Sequence, residues 1–136
     1  MAKIINVWNF DHLINSFTFD EMACRNCPHC GGVSDMDEKF MVKLQELRDV
    51  CGFALPVNSG FRCPQKNIDC KGHEGSAHLT GEGADLRCDR DRARVVIQKA
   101  IELGFSVGIQ QKGSGRFVHV DTKIRRSGKA NLWSYA

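Results

Sequence analysis

Apolar side chains recur at helical spacing in two stretches of the chain. Phe40, Met41, Leu44, Leu47 and Val50 make one stripe, which predicts a helix from Ser34 to Cys51. Asp35 is placed to cap it, and Glu38 three residues later completes a capping box. Gly52 ends it. Ala93, Val96, Ile97, Ala100 and Ile101 make the second stripe, within a helix predicted over Asp89 to Leu103. Asp89 and Asp91 stand at its start, where the helix dipole favours negative charge. Gly104 follows its end, a common position for a residue just past a C-cap. Both stripes read as core-facing surfaces.

Elsewhere the pattern shortens. Phe105 to Ile109 and Arg116 to Thr122 read as two strands joined through Lys112-Gly113-Ser114-Gly115, a hairpin-like turn. Leu55 to Arg62 reads as a short strand entering a turn. The polar run from Cys63-Pro64 to Gly75 reads as a long loop. Leu79 to Cys88 starts as a loop at Gly81 and Gly83 and ends as a strand at Ala84-Asp85-Leu86. Residues 1–20 mix the strand formers Ile4, Ile5, Val7 and Trp8 with polar residues, and Cys24 to Gly32 reads as irregular. The order of elements favours an α+β fold, a small and largely antiparallel sheet with flanking helices, over a doubly wound parallel sheet.

Chemistry enters at Ser76-Ala77-His78-Leu79-Thr80-Gly81-Glu82-Gly83-Ala84-Asp85. An imidazole and a carboxylate stand seven residues apart, with two glycines between them. Gly83-Ala84 permits close backbone approach just before Asp85. Phe117-Val118-His119-Val120-Asp121 adds a second imidazole in an alternating run, so Phe117, His119 and Asp121 share one strand face and the two valines the other. Two histidines and one aspartate form a zinc donor set that leaves a fourth position open for water. His73-Glu74-Gly75-Ser76-Ala77-His78 resembles the helical H-E-x-x-H zinc motif with one residue too many. Five residues turn a helix by roughly 140°, so those two imidazoles would diverge. His73 and Glu74 are therefore read as loop residues, and His12 and His29 as surface or hydrogen-bonded histidines.

Ser59-Gly60-Phe61-Arg62-Cys63-Pro64, the Ser76–Asp85 element and Phe117–Asp121 together resemble the M15 family of zinc peptidases. That family includes D-alanyl-D-alanine carboxypeptidases and phage endolysins that cut L-alanyl-D-glutamate bonds, and it shares its fold with the Hedgehog signalling domain. The likeness runs from about Phe17 to Asp121. It implies His78, Asp85 and His119 as zinc ligands, Arg62 as the group holding a substrate carbonyl or carboxylate, and Ser76 as a pocket residue. It implies bacterial peptidoglycan peptides as substrate and a Hedgehog- or DD-peptidase-like fold. One position departs from the pattern. Several branches carry an acidic general base three residues before the last zinc histidine, and here that residue is Arg116. Asp121 is the candidate substitute; equally, it is a candidate acceptor that orients a ligand histidine. Glu82 is a weaker candidate base.

Seven cysteines, at positions 24, 27, 30, 51, 63, 70 and 88, change the picture again. Cys24-x-x-Cys27-x-x-Cys30 has metal-site spacing, and Cys63, Cys70 or His29 could complete a set of four. The set Cys24, Cys27, Cys30 and Cys70 is taken as a candidate second, structural zinc site. Unpaired thiols or a disulfide are the other readings, Cys51 reads as core, and Cys88 has no evident partner. The odd count leaves one thiol over in a monomer, the expected state.

Composition adds limits. At 136 residues the chain is sized for one domain, and a net charge of +3 does not argue for a nucleic-acid partner. No apolar run reaches membrane-spanning length. The first eight residues lack the apolar core and cleavage site of a secretory signal. The chain is therefore expected to be made in the cytoplasm, and to reach the cell wall after lysis-linked release or as part of a virion. The basic tail carries Trp133 and Tyr135 as candidate lids or anchors.

Overall fold

Both apolar stripes form helices in a computed structural model of the chain, which describes residues 14–25, 27–124, 128 and 130–135. Ile4, Ile5, Val7, Trp8 and His12 lie outside the described residues. A four-residue helix, α1 (Phe19–Met22), precedes the cysteine-rich segment and carries its own capping box between Thr18 and Glu21. The first striped helix, α2, spans Glu38–Cys51 and starts later than the stripe predicts. Its cap is Asp37, whose carboxylate accepts the Phe40 N–H at 2.9 Å, rather than Asp35. The Asp37 N–H donates to the Gly81 carbonyl, so the cap is also fixed from outside the helix. The second, α4 (Arg90–Glu102), is preceded by Asp89 at its N-cap. The stripes are narrower than the sequence implies: Phe40, Met41, Leu44 and Leu47 are fully buried, whereas Val50 and Ile101 at the stripe ends are exposed.

Five strands make one mixed sheet: β1 (Val57–Ser59), β2 (Gly83–Arg87), β3 (Ser106–Gln110), β4 (Phe117–Asp121) and β5 (Leu132–Ser134). They lie in the order β1-β2-β4-β3-β5. The first three pairings are antiparallel, and β3 with β4 is the predicted hairpin. β5, from the basic tail, adds in parallel to β3. Gly108 makes that addition possible, because a Cβ there would stand 2.6 Å from the Trp133 ring. The polar run after Cys63 is not all loop. It contains a third helix, α3 (Pro64–Asp69), started by a proline at its first turn.

Ala84, Leu86, Val107, Val118 and Val120 line one face of the sheet and are fully buried. They join one core with Leu44 and Leu47 of α2 and Ala93, Val96 and Ala100 of α4. Each such valine or leucine contributes roughly 1.5–3 kcal/mol by leaving water. Strand alternation then obliges the residues between them to face the other way. Those residues include Asp85, His119 and Asp121.

Candidate metal centre and substrate cleft

Strand register, rather than chain proximity, assembles the site. β2 lies between β1 and β4, with Asp85 opposite Ser59 on one side and opposite His119 on the other. Gly83, two residues earlier, lies against the imidazole. A Cβ there would come within 2.9 Å of the Ala77 side chain and 3.2 Å of His119 Cε1. His78 comes from a single 3-10 turn, Ala77–Thr80, whose N-cap Ser76 accepts the His78 N–H on its hydroxyl at 3.2 Å. Ser76 also lines the cleft. It therefore shapes the turn that presents His78 as well as the pocket wall.

Hydrogen bonds settle which nitrogens face inward. His78 Nδ1 lies 2.6 Å from the Gly60 carbonyl, which can only accept, so the proton sits on Nδ1. That leaves His78 Nε2 turned toward Asp85 Oδ1 at 3.3 Å. His119 is gripped from both ends: Nδ1 lies 2.9 Å from the same Asp85 Oδ1, and Nε2 lies 2.8 Å from Asp121 Oδ2. The two rings stand 5.1 Å apart. One donor atom from each of His78, Asp85 and His119 lies within 4.8 Å of the others, with all three residues buried. Two nitrogens and one carboxylate oxygen converging in this way suit a zinc ion, whose ligand distances are about 2.0–2.2 Å.

The electrostatics agree with a site built for charge. Burial works to raise the Asp85 carboxyl, but the His119 and His78 imidazoles against it outweigh burial and hold it well below the usual carboxylate range. Burial works to keep His119 neutral, but Asp121 and Asp85 outweigh it and raise its pKa above the ordinary imidazole value. Asp121 is 1% exposed. Its second oxygen, Oδ1, accepts the Lys123 N–H at 3.2 Å. Both of its oxygens thus have partners.

Arg62 stands beside the three donors. Its guanidinium donates from Nε to Ser59 Oγ at 3.1 Å, from Nη1 to Asn67 Oδ1 at 3.3 Å and from Nη2 to Asp85 Oδ2 at 3.4 Å. Three of the five guanidinium donors are used in this way, which leaves one on each terminal nitrogen. The Arg62 backbone N–H donates to the His78 carbonyl, tying the two site segments together. A cleft of about 640 Å³ opens over these groups, lined also by Lys71, His73, Phe117, Trp133 and Tyr135. The Trp133 ring lies 5.4 Å from His119. The basic tail therefore supplies a cleft wall, and its two aromatic residues do reach the site.

The other sequence candidates fall elsewhere. Glu82 accepts the Thr80 hydroxyl at 2.5 Å and is not among the cleft-lining residues. Arg116 donates from Nε to the Gly113 carbonyl, and it too is absent from the cleft. His29 is exposed and pairs with Asp69 at 3.1 Å. Cys88 is half-buried, and burial pushes its thiol up to about 11.

A second donor cluster differs from the one expected. Cys24, Cys27 and Cys30 gather with Cys63, not with Cys70; the four sulfurs lie within 4.8 Å of one another. Cys70 is exposed and lies on the cleft rim, because α3 carries the chain away from Cys63 before reaching it. Cys27 Sγ and Cys63 Sγ are 3.5 Å apart, and the Cys63 N–H donates to Cys24 Sγ at 3.5 Å. Burial would raise the Cys27 thiol, but the backbone N–H groups of Cys30 and His29 and the neighbouring thiols outweigh it and hold it at about 6. Burial dominates at Cys24 and Cys63 and raises both. Cys63 was one of three completions the sequence left open, and the choice of Cys70 among them is the one the structure overturns. The Gly60 carbonyl and Asn67 as supports were not foreseen. Their one signal was adjacency to the Ser59–Arg62 run.

Comparison with known proteins agrees with the geometry. The family model for peptidase M15 matches residues 15–121, which takes in both clusters, Arg62 and Ser76. No curated protein matches the chain.

Proposed function

The chain belongs to the peptidase M15 family, and we propose that it is a zinc-dependent peptidase acting on D-residue-containing peptide bonds of bacterial peptidoglycan, as a phage or prophage endolysin does. The observation that carries this reading is the convergence of His78 Nε2, Asp85 Oδ1 and His119 Nδ1 at the floor of a cleft beside Arg62. These three residues would hold the ion. Zinc, when bound, polarises a scissile carbonyl and lowers the pKa of its water.

The chain's own groups do the rest. The Gly60 carbonyl keeps the His78 proton on Nδ1, so Nε2 keeps its lone pair. Asp121 does the same for His119 from the opposite nitrogen, fixing both the tautomer and the ring plane. With its oxygens engaged by His119 and Lys123, Asp121 is a positioning residue rather than the proton-accepting base. Arg62 offers its remaining donors to a substrate carbonyl or terminal carboxylate, a task suited to a guanidinium fork. Its bonds to Ser59, Asn67 and Asp85 hold that fork in place before substrate arrives. Lys71 adds positive charge at the cleft and suits acidic stem peptides. The protein acts as a monomer on the wall, after lysis-linked release or from within a virion.

Turnover of purified peptidoglycan by the zinc-loaded chain, compared with His119→Ala, tests the proposal. Mass analysis of the products separates stem-peptide cleavage from release of terminal D-alanine, the signature of a carboxypeptidase. Absence of turnover by wild type across several wall chemistries would overturn the enzyme reading. It would leave a zinc-stabilised wall-binding or virion module in its place.

A further inference from the structure

We propose that Cys24, Cys27, Cys30 and Cys63 hold one thiophilic divalent cation, zinc by donor chemistry, as a closed structural site distinct from the His78–Asp85–His119 cluster. Four thiolates around a tetrahedral zinc at about 2.3 Å place their sulfurs ~3.8 Å apart. The four sulfurs here lie within 4.8 Å of one another, and Cys27 Sγ and Cys63 Sγ stand 3.5 Å apart. Three of the four cysteines are buried and Cys30 is half-buried, so the donors surround a point that water reaches poorly. Such a site offers no open position for substrate, which marks it as structural.

The backbone reaches into the cluster as well: the Cys63 N–H donates to Cys24 Sγ at 3.5 Å. A donor aimed at sulfur suits a thiolate, the form that binds metal. The chain around the first three cysteines has little regular structure of its own. α1 is one turn long, and a backbone bond from the Cys24 N–H to the Val33 carbonyl closes the segment. A cation shared with Cys63 would pin this segment to the residue that follows Arg62. It would thereby fix the backbone that presents the guanidinium and starts α3.

Metal content of the full chain, purified in reductant without chelator, tests this. Two zinc ions per wild-type chain are expected, with one retained by a His78→Ala/His119→Ala variant. Cobalt exchange gives a readout that owes nothing to activity. A strong near-ultraviolet thiolate-to-cobalt band is expected in wild type and in that histidine variant, and its loss in Cys30→Ser/Cys63→Ser. A histidine variant that holds no metal would overturn the proposal, as would a wild-type cobalt protein without the thiolate band or intact mass showing the four thiols oxidised to disulfides. If the cysteine variant fails to fold, the wild-type and histidine-variant spectra decide the matter alone. Failure of the peptidase reading shows instead as a chain with both ions bound and no turnover.

Discussion

The two donor clusters differ in what holds them. His78, Asp85 and His119 stand on a sheet whose other face is fully buried, with Gly60 and Asp121 fixing the rings from behind. The thiol cluster stands on loops, with one single-turn helix on one side and the start of α3 on the other. The first is prearranged by packing and register, so a cation adds chemistry to a frame that exists without it. The second gathers three donors from a short irregular segment that packs on the core through Met22, Cys24 and Cys27, so a cation there would add the cohesion that a strand ladder gives the first. A sheet can hold polar side chains on one face because apolar burial on the other supplies the stability. A loop has no such second face.

Four measurements bear on that contrast. The largest effect is expected from the thiols. Structural zinc sites contribute on the order of 10 kcal/mol of apparent binding energy, so Cys30→Ser/Cys63→Ser should lower the melting temperature by about 10 °C or more. His119→Ala should lower it by only a few degrees; a reversed order in calorimetry would break the contrast. For activity, the order inverts. His119→Ala should reduce peptide hydrolysis by roughly 10³-fold, or about 4 kcal/mol, with the near-ultraviolet circular dichroism spectrum retained. Measurable turnover close to wild type would remove His119 from the site.

Smaller effects separate the supports from the donors. Asp121→Asn keeps the shape but weakens the hold on His119 Nε2, so metal affinity in competition with a chelator should fall about 10- to 100-fold. If affinity is unchanged and turnover is lost, Asp121 is a base after all. Arg62→Lys keeps the charge and loses the fork that bonds Ser59, Asn67 and Asp85 at once. Its expected effect is about a tenfold rise in KM with a smaller change in kcat. A kcat loss at constant KM would place Arg62 in the transition state rather than in substrate binding.

Much of this architecture is written locally. α2 and α4 follow from 3.6-residue stripes, and the β3–β4 hairpin from two alternating runs around a glycine-rich turn. The polar face of β4 is legible too, because two valines at alternate positions leave His119 and Asp121 no other side. The errors lie where local pattern is mute. α3 hides in a polar run because its six residues show little apolar periodicity. β5 hides in a basic tail, since a parallel strand at a sheet edge needs a partner more than a pattern. The helix cap moved from Asp35 to Asp37 because the Gly81 carbonyl reaches across to the Asp37 N–H.

The sequence by itself singled out the candidate donors: His78, Asp85 and His119 by their setting among glycines and valines, and Cys24, Cys27 and Cys30 by their spacing. Only the tertiary structure decided how they meet. Register on β2 and β4 set Asp85 against His119, and the Gly60 carbonyl and Asp121 chose the nitrogens that face inward. The path from β1 into α3 brought Cys63, and not Cys70, to the other three thiols. Spacing records which residues lie near one another along the chain. Which distant segment arrives beside them, and with which atom foremost, is set by packing that no local pattern encodes.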